Sequence, residues 1–384
     1  DAQVDAFIAN LVEHGMRLIH LSGDLFQWRF DADGKFKGID APCMVAGGDG
    51  KVLLDATGFD ELKARCDQAG KPFKLLYMFY EAHAVKPGAL KFQKLFPDRF
   101  AGREPRGGHK VINGYYTEEM LTMIRQYLER RGWLHDVYLK IGDEPGDIRK
   151  WYDDFCQAAV AAKIPFFTAH GSGDIAQATP QMSDIWQPIY GSYNPEFMEK
   201  VRQAGKKVSW YNCGPPPTTA VGRPASEWRS YLWQAAKADL DIVAWWGIQC
   251  WSYSDGRLGL WTDRYSHWNS VIYPEHPEKP PFEIKGKGWQ DNIMLDSIRW
   301  ETIRDGMEDA WYVNLLRRLA ADARAKGQEQ EAAQSEQLLN GIWQDMYPTR
   351  LQYGPPYAKI LDARRKIAMD ILKLQALTQA AAKK

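Results

Sequence analysis

The chain has 384 residues, with 49 basic and 49 acidic side chains and a formal net charge of zero. That balance excludes a polybasic surface for nucleic acid or for an anionic membrane, and the length allows one large domain or two ordinary ones with a substantial core. Aromatic residues are the compositional outlier, with 16 Trp, 18 Tyr and 15 Phe, a supply that serves a large core and equally suits flat amphipathic ligands.

From Val4 to His14 the apolar positions Phe7, Ile8, Leu11 and Val12 recur at helical spacing, and Gly15 stands where a C-terminal cap falls. The run MRLIHLSGD at 16–24 follows as a strand closed by Gly23-Asp24. Helices expected near 58–69, 117–131, 146–162, 194–204 and 225–239 then alternate with strands at 72–81, 136–145, 165–170, 184–190, 206–214 and 241–252. Near-continuous apolar strands separated by helices are the pattern of a parallel sheet covered by helices, for which the natural closure is a (β/α)8 TIM barrel, an α/β fold. The count is one strand short. Because the chain opens on a helix, the first strand is expected upstream of Asp1, with NSVIYP at 269–274 as the alternative eighth strand.

Residues 31–57, with DADGKFKG and GGDGKVLLD, predict a hairpin insertion with Asp-Gly turns. Residues 82–116, rich in Gly, Pro and basic side chains, predict a long loop over one barrel face. From Leu295 the pattern is helical, with the breaker YPTRLQYGPP at 347–356 separating the last two helices. The expected domains are a catalytic barrel over 1–323, with insertions at 31–57 and 82–116, and a C-terminal extension of helices over 324–384 packed on it.

Cys43, Cys66, Cys156, Cys213 and Cys250 form no CxxC pair and are odd in number, so buried thiols are expected rather than a disulfide framework. No apolar run is long enough to span a membrane. The chain begins DAQVDAFIANLVEHG, without Met and without a signal segment, and reads as a fragment or processed form. The histidines include no HExxH and no tight cluster, so no metal and no other cofactor is expected.

In barrels of this kind the reacting groups come from the C-terminal ends of the strands. Here those ends supply His20 and Asp24, Tyr80 and Glu81, Asp143 and Glu144, His170, Tyr190 and Tyr193, Trp210, Tyr211 and Asn212, and Trp245 and Trp251. Carboxylates edged by indole rings suit a carbohydrate: the acids bond hydroxyls, one can donate a proton, and the rings stack on the apolar side of the sugar. Alternatives stay open at several positions. Asp143 and Glu144 could instead cap the helix that follows, since carboxylates favour helix N-termini, and His20 and His170 could be structural.

The adjacency of Asp143 and Glu144 in YLKIGDEPGD (138–147) is awkward for a two-carboxylate glycosidase, because neighbouring residues on a strand point to opposite sides. It suits hydrolysis in which the substrate's own 2-acetamido group attacks the anomeric carbon. YLKIGDEPGD resembles the Asp-Glu signature of glycoside hydrolase family 123, and DSIRWETIRDGMEDAWYVNLL (296–316) resembles that family's Arg-x-Glu and Arg-Asp-Gly-x-Glu-Asp segment. The similarity runs from about His14 to about Leu319. It implies a (β/α)8 catalytic domain preceded by a β-sandwich, with Glu144 as general acid/base and Asp143 positioning the acetamido group. The expected activity is an exo-acting retaining β-N-acetylgalactosaminidase acting on a glycan or glycoconjugate, in a secreted, periplasmic or cell-surface setting. The rivals are an exo-glycosidase for a different sugar with Asp24 or Glu81 as second carboxylate, and a catalytically silent carbohydrate-binding barrel. Within RDGMEDAWY, Arg304, Asp305, Glu308 and Asp309 sit at helical spacing and are expected to form structural ion pairs, with Gly306 allowing close packing.

Overall fold

A computed structural model describes residues 2–16, 18–21, 28–30, 36–39, 43–46, 52–55, 57–69, 74–80, 115–143, 156–170, 179–212, 225–245, 272–274, 294–349 and 354–381. The chain divides into two compact units, Gln3–Ser209 and Trp210–Lys384. The principal strands are β1 (Leu18–Leu21), β2 (Lys74–Tyr80), β3 (Val137–Asp143), β4 (Phe166–His170), β5 (Ile185–Pro188), β6 (Lys207–Asn212) and β7 (Ile242–Trp245). Their order in the sheet is their order in the chain, and β1 to β6 pair parallel. A doubly wound sheet would reverse its strand order at a switch point. This one does not, so the architecture is α/β with a TIM-like progression. Among the described residues no pairing joins β7 back to β1, and the expected closed (β/α)8 ring is seen only as this open run.

Two further expectations are refined. Ile272–Pro274 pairs antiparallel with Met294–Asp296 in a sheet of two, which corrects the alternative reading of 269–274 as a closing parallel strand. The insertion expected as one hairpin holds two antiparallel pairs, Trp28–Phe30 with Phe36–Ile39 and Cys43–Ala46 with Val52–Asp55. The Asp-Gly turns, the loop centred on 82–114 and the start of the helix expected near 146 lie outside the described residues.

In the first unit the helices are α1 (Ala2–Glu13), α2 (Thr57–Gln68), α3 (Tyr115–Arg131), a short helical segment at 156–161, and α4 (Pro195–Gln203). Each buries one stripe: Ile8 and Leu11 on α1, Phe59 and Cys66 on α2, Leu121, Ile124 and Leu128 on α3, Met198 and Val201 on α4. Strands β4 and β5 are buried along their whole length, as parallel strands covered on both faces are. Cys66 and Cys156 are free and buried, and burial pushes the Cys66 thiol up to about 11, leaving it an unreactive packing residue.

Helix α1 stops at Gly15, whose φ of 76° is left-handed. There Met16 N–H reaches the Leu11 carbonyl at 2.8 Å and Gly15 N–H reaches Val12 at 3.0 Å, the bond pair of a Schellman cap. The segment at 156–161 ends with the same pair, Ile164 to Ala159 at 3.2 Å and Lys163 to Val160 at 3.0 Å. Here the left-handed residue is Lys163, at φ 54°, where a Cβ is sterically disfavoured.

The second unit is built around α5 (Ala225–Lys237), α6 (Ile298–Ala325), α7 (Glu329–Met346) and α8 (Tyr357–Ala381). Residues 226–236 of α5 are all buried, so this helix is covered on every side. On α6 the buried positions Trp300, Ile303, Gly306, Asp309, Val313, Leu316, Ala320 and Ala323 form a single stripe. It shares one core with Leu339, Ile342 and Trp343 of α7 and with Ile360, Ile367 and Ile371 of α8. Ser297 caps α6, its hydroxyl accepting from Trp300 N–H at 3.1 Å. Helices α5 and α6 approach so closely at Gly306 that a Cβ there would stand 3.0 Å from Leu232 Cβ and 3.1 Å from the Arg229 carbonyl oxygen. The mid-helix glycine is therefore a packing requirement, as its position suggested.

A buried ionic cluster locks this contact. Arg229 donates through Nε to Asp309 Oδ2 at 2.5 Å and through Nη2 to Oδ1 at 2.8 Å, with exposures of 1% and 0% for the two side chains. Trp233 Nε1 donates to the same carboxylate at 2.6 Å, and Arg364 of α8 approaches it at 3.4 Å while pairing with Glu308 at 2.8 Å. Arg229 Nη1 also meets the Tyr357 hydroxyl at 2.7 Å, which donates to Asp305 at 2.9 Å. The acidic residues of RDGMEDAWY thus serve as structural ion pairs.

Two outcomes follow from these contacts. Asp309→Asn removes the fully buried carboxylate that takes two bonds from Arg229, leaving it only Asp305 at 3.2 Å, and should cost about 3–5 kcal/mol in urea unfolding. Lys163→Gly relieves left-handed strain and should gain roughly 0.5–1 kcal/mol in the same assay.

Candidate functional site

Parallel pairing brings the C-terminal ends of β1 to β4 to one edge of the sheet. His20, Tyr80, Asp143 and His170, each the last or next-to-last residue of its strand, share that edge.

The register decides which face each position occupies. Trp186 of β5 packs edge-on against Phe197 of α4 at 5.0 Å and flat against His170 at 4.5 Å, which marks the helix-covered side. Thr168 and Val208 are level with Trp186 on that side. The opposite face sets polar residues among the buried apolar Phe167, Ile185 and Ala169. Lys207 Nζ donates to the Tyr138 hydroxyl at 3.0 Å, Gln187 Nε2 donates to Ser209 Oγ at 3.2 Å, and Lys140 is buried in the same register rows. Strand alternation in the sequence signals this row, through Tyr138 and Lys140 two residues apart and Gln187 inside an apolar strand. These residues lie within the strands rather than at their ends.

Asp143 would fall on the helix side if β3 alternated regularly beyond Lys140. It does not, because the register slips: Lys140 is level with Phe167 and Asp143 with Ala169, three residues on β3 against two on β4. One extra residue in the Ile141-Gly142 stretch moves Asp143 into the row opposite the helices, and a glycine favours such an irregularity. A second slip lies beside it on β2, between Met78 and Tyr80, after which Tyr80 is level with Ile141. Bulges gather next to reaction centres, where they re-aim a side chain. His20 is level with Leu76, which is level with Tyr138, so it too takes a position in the row opposite the helices. Glu144, Asp24, Glu81 and Trp251 lie outside the described residues.

Several residues expected to touch ligand have packing partners within the fold. His170 is fully buried on the helix side, stacked on Trp186. Tyr190 and Tyr193 are buried in and just after the turn Tyr190–Ser192. In the second unit Trp210 and Trp245 both pack on Tyr231 of α5, at 5.9 and 5.1 Å, and the Tyr231 hydroxyl donates to the Ala244 carbonyl at 3.0 Å. These indoles cover strands against a helix, as strand-end tryptophans in a helix-covered sheet do. Asn212 shares the side of Trp210 by alternation, and Tyr211 takes the other side.

Asp143 thus stands, by register, at the C-terminal edge of the row opposite the helices. The family model described as "Glycoside hydrolase 123, catalytic domain" matches residues 109–316, which include both Asp143-Glu144 and the buried ionic segment. Among solved structures, a family 123 glycoside hydrolase from Clostridium perfringens, described for glycolipid glycan hydrolysis, aligns with a TM-score of 0.58 at 13% identity, over 100% of this chain and 66% of that one. A family 5 glycoside hydrolase from Bacteroides vulgatus aligns with a TM-score of 0.42 at 11% identity, over 83% of this chain and 64% of that one. The first of these supports the fold, and the chain spans about 66% of its length. No curated protein matches.

The two faces of β6 should respond differently to substitution. Trp210→Ala removes a buried indole from the contact with α5 and should cost about 3–5 kcal/mol in urea unfolding. Tyr211→Phe should stay within about 1.5 kcal/mol of the parent.

Proposed function

Because the chain belongs to glycoside hydrolase family 123, we propose that it is an exo-acting retaining glycosidase releasing terminal β-linked N-acetylgalactosamine by substrate-assisted catalysis. The observation that carries this reading is the register slip in β3, which sets Asp143 in the row opposite the helices, directly before Glu144, inside the matched segment. Adjacent carboxylates are poorly spaced to act as acid and nucleophile on opposite faces of one sugar. They suit a reaction whose nucleophile belongs to the substrate.

In that reaction Glu144 donates its proton to the glycosidic oxygen as the bond to the anomeric carbon breaks. The acetamido carbonyl oxygen attacks the same carbon and closes an oxazoline-type ring. Asp143 accepts the acetamido N–H, orienting the group and balancing the positive charge that develops on it. Glu144, now a carboxylate, then takes a proton from the water that opens the ring, which restores the acid and retains the configuration. The glycan of a glycolipid, which the Clostridium perfringens protein hydrolyses, is a substrate of the right class, and an extracytoplasmic location accords with it. Within the second unit Tyr211, on the side of β6 away from Trp210, is the aromatic best placed to meet sugar.

Glu144→Gln should lower kcat on an aryl N-acetyl-β-galactosaminide by about 10²- to 10⁴-fold, the usual contribution of a general acid/base, and a thiazoline mimic of the intermediate should inhibit the parent enzyme competitively. Equal turnover of an aryl galactoside lacking the acetamido group would sink the substrate-assisted mechanism. Unchanged hydrolysis by Glu144→Gln would remove that residue from its role.

A further inference from the structure

We propose that Gln187 is a specificity-determining contact, its side-chain carbonyl oxygen accepting a hydrogen bond from a ring hydroxyl, on C3 or C4, of the sugar held at the Asp143 edge. The identity of that sugar rests on the function proposed above; the hydroxyl contact is read separately.

The face opposite the helices is built in rows. In one row Phe167 of β4 is level with Ile185 of β5, which is level with Lys207 of β6, and Phe167 and Ile185 are fully buried. The next row towards the C-terminal edge starts at Asp143, level with Ala169, which is level with Gln187. Ser209, next after Val208 in the register, continues it through its bond to Gln187. On β4 the residue of this face thus shrinks from Phe to Ala, and on β6 from Lys to Ser. Side chains on this face of a TIM-like sheet stack in layers that fill the space. A layer that narrows to Ala and Ser at the C-terminal edge leaves room where such folds take their ligands.

Gln187 is the long polar side chain of that narrowed layer. It is 5% exposed, and a buried amide is tolerated when it is hydrogen-bonded. Its Nε2 donates to Ser209 Oγ at 3.2 Å. The two ends of a planar amide leave its carbon at a wide angle, so holding Nε2 towards β6 turns the carbonyl oxygen away from β6. That oxygen has two lone pairs and only accepts, which selects a donor on the ligand. Along the row Gln187 and Asp143 are two strand spacings apart, about 9–10 Å, with the methyl group of Ala169 as the one side chain between them. The interval suits one edge of a sugar ring, with its acetamido N–H at Asp143 and a hydroxyl of the following carbons at Gln187. Because Gln187 stands on a strand and is held by Ser209, the acceptor is in place before the sugar arrives.

The test is a ligand-observed NMR titration of the full chain with N-acetylgalactosamine and its 3-deoxy and 4-deoxy forms, and with galactose and its own two deoxy forms. In the parent, removing one of the two hydroxyls should weaken binding by about 5- to 100-fold, the effect of losing one hydrogen bond and leaving its buried acceptor unpaired. In Gln187→Met, which keeps the length of the side chain and removes the acceptor, that deoxygenation should cost nothing further. Gln187→Asn, which keeps the amide and withdraws it by one methylene, should behave likewise. Gln187→Glu retains an acceptor and should retain the penalty. A merely structural role for Gln187 would weaken all the sugars alike and leave the penalty unchanged.

A penalty of equal size in the parent and in folded Gln187→Met and Gln187→Asn overturns the contact, and so does a parent indifferent to both hydroxyls. If the penalty depends on Gln187, on either sugar, while no 2-acetamido glycoside is hydrolysed, the contact stands and the proposed function fails. If such glycosides are hydrolysed and the penalty ignores Gln187, the reverse holds.

Discussion

A β-strand has two faces and a period of two, so every side chain in a parallel sheet is committed by its count from the last register point. In β3 that count is broken once, between Lys140 and Asp143. Everything distinctive about the strand edge depends on this break. The polar row of Tyr138, Lys140, Gln187 and Ser209 lies on one face, the packed row of Thr168, His170 and Trp186 on the other, and the slip decides which of them Asp143 joins. Neighbouring residues on a regular strand diverge. Here the strand stops being regular just before its two acids.

The second unit is organised by a different constraint. Helix α5 is covered all round, and α6 can lie against it only because Gly306 has no side chain and because Arg229 finds Asp309. The segment 296–316, which most strongly resembles the family, is thus scaffolding: its acids bond Arg229, Trp233 and Arg364. A buried ion pair gains little over an apolar contact of equal shape, yet it is costly to break from one side. It fixes which helices pair more than it adds to stability.

Much of the fold was legible in the sequence, because helix stripes such as Phe7, Ile8, Leu11 and Val12, and continuous apolar strands such as Phe166–His170, record burial directly. The helix stop at Gly15 was readable from the glycine; the stop at Lys163 was not, since only the backbone reveals a left-handed lysine. The face of Asp143 was likewise hidden, because a register slip is a relation between two strands and leaves only Gly142 as its trace. Tryptophans are ambiguous for a physical reason: Trp210 and Trp245 at strand ends look the same in sequence whether they pack on Tyr231, meet a sugar or do both.

The Arg229–Asp309 contact also limits how such sequences can diverge. The two positions are 80 residues apart in the chain, yet neither tolerates change alone, since each single replacement strands a charge or a donor inside the core. Passage to another solution requires both to change together, with Trp233, Asp305 and Arg364 adjusting to the new partner. In mutational terms the cluster is one character written at several sites. It should therefore drift as a block, while the stripe of alanines and leucines around it is free to exchange one residue at a time.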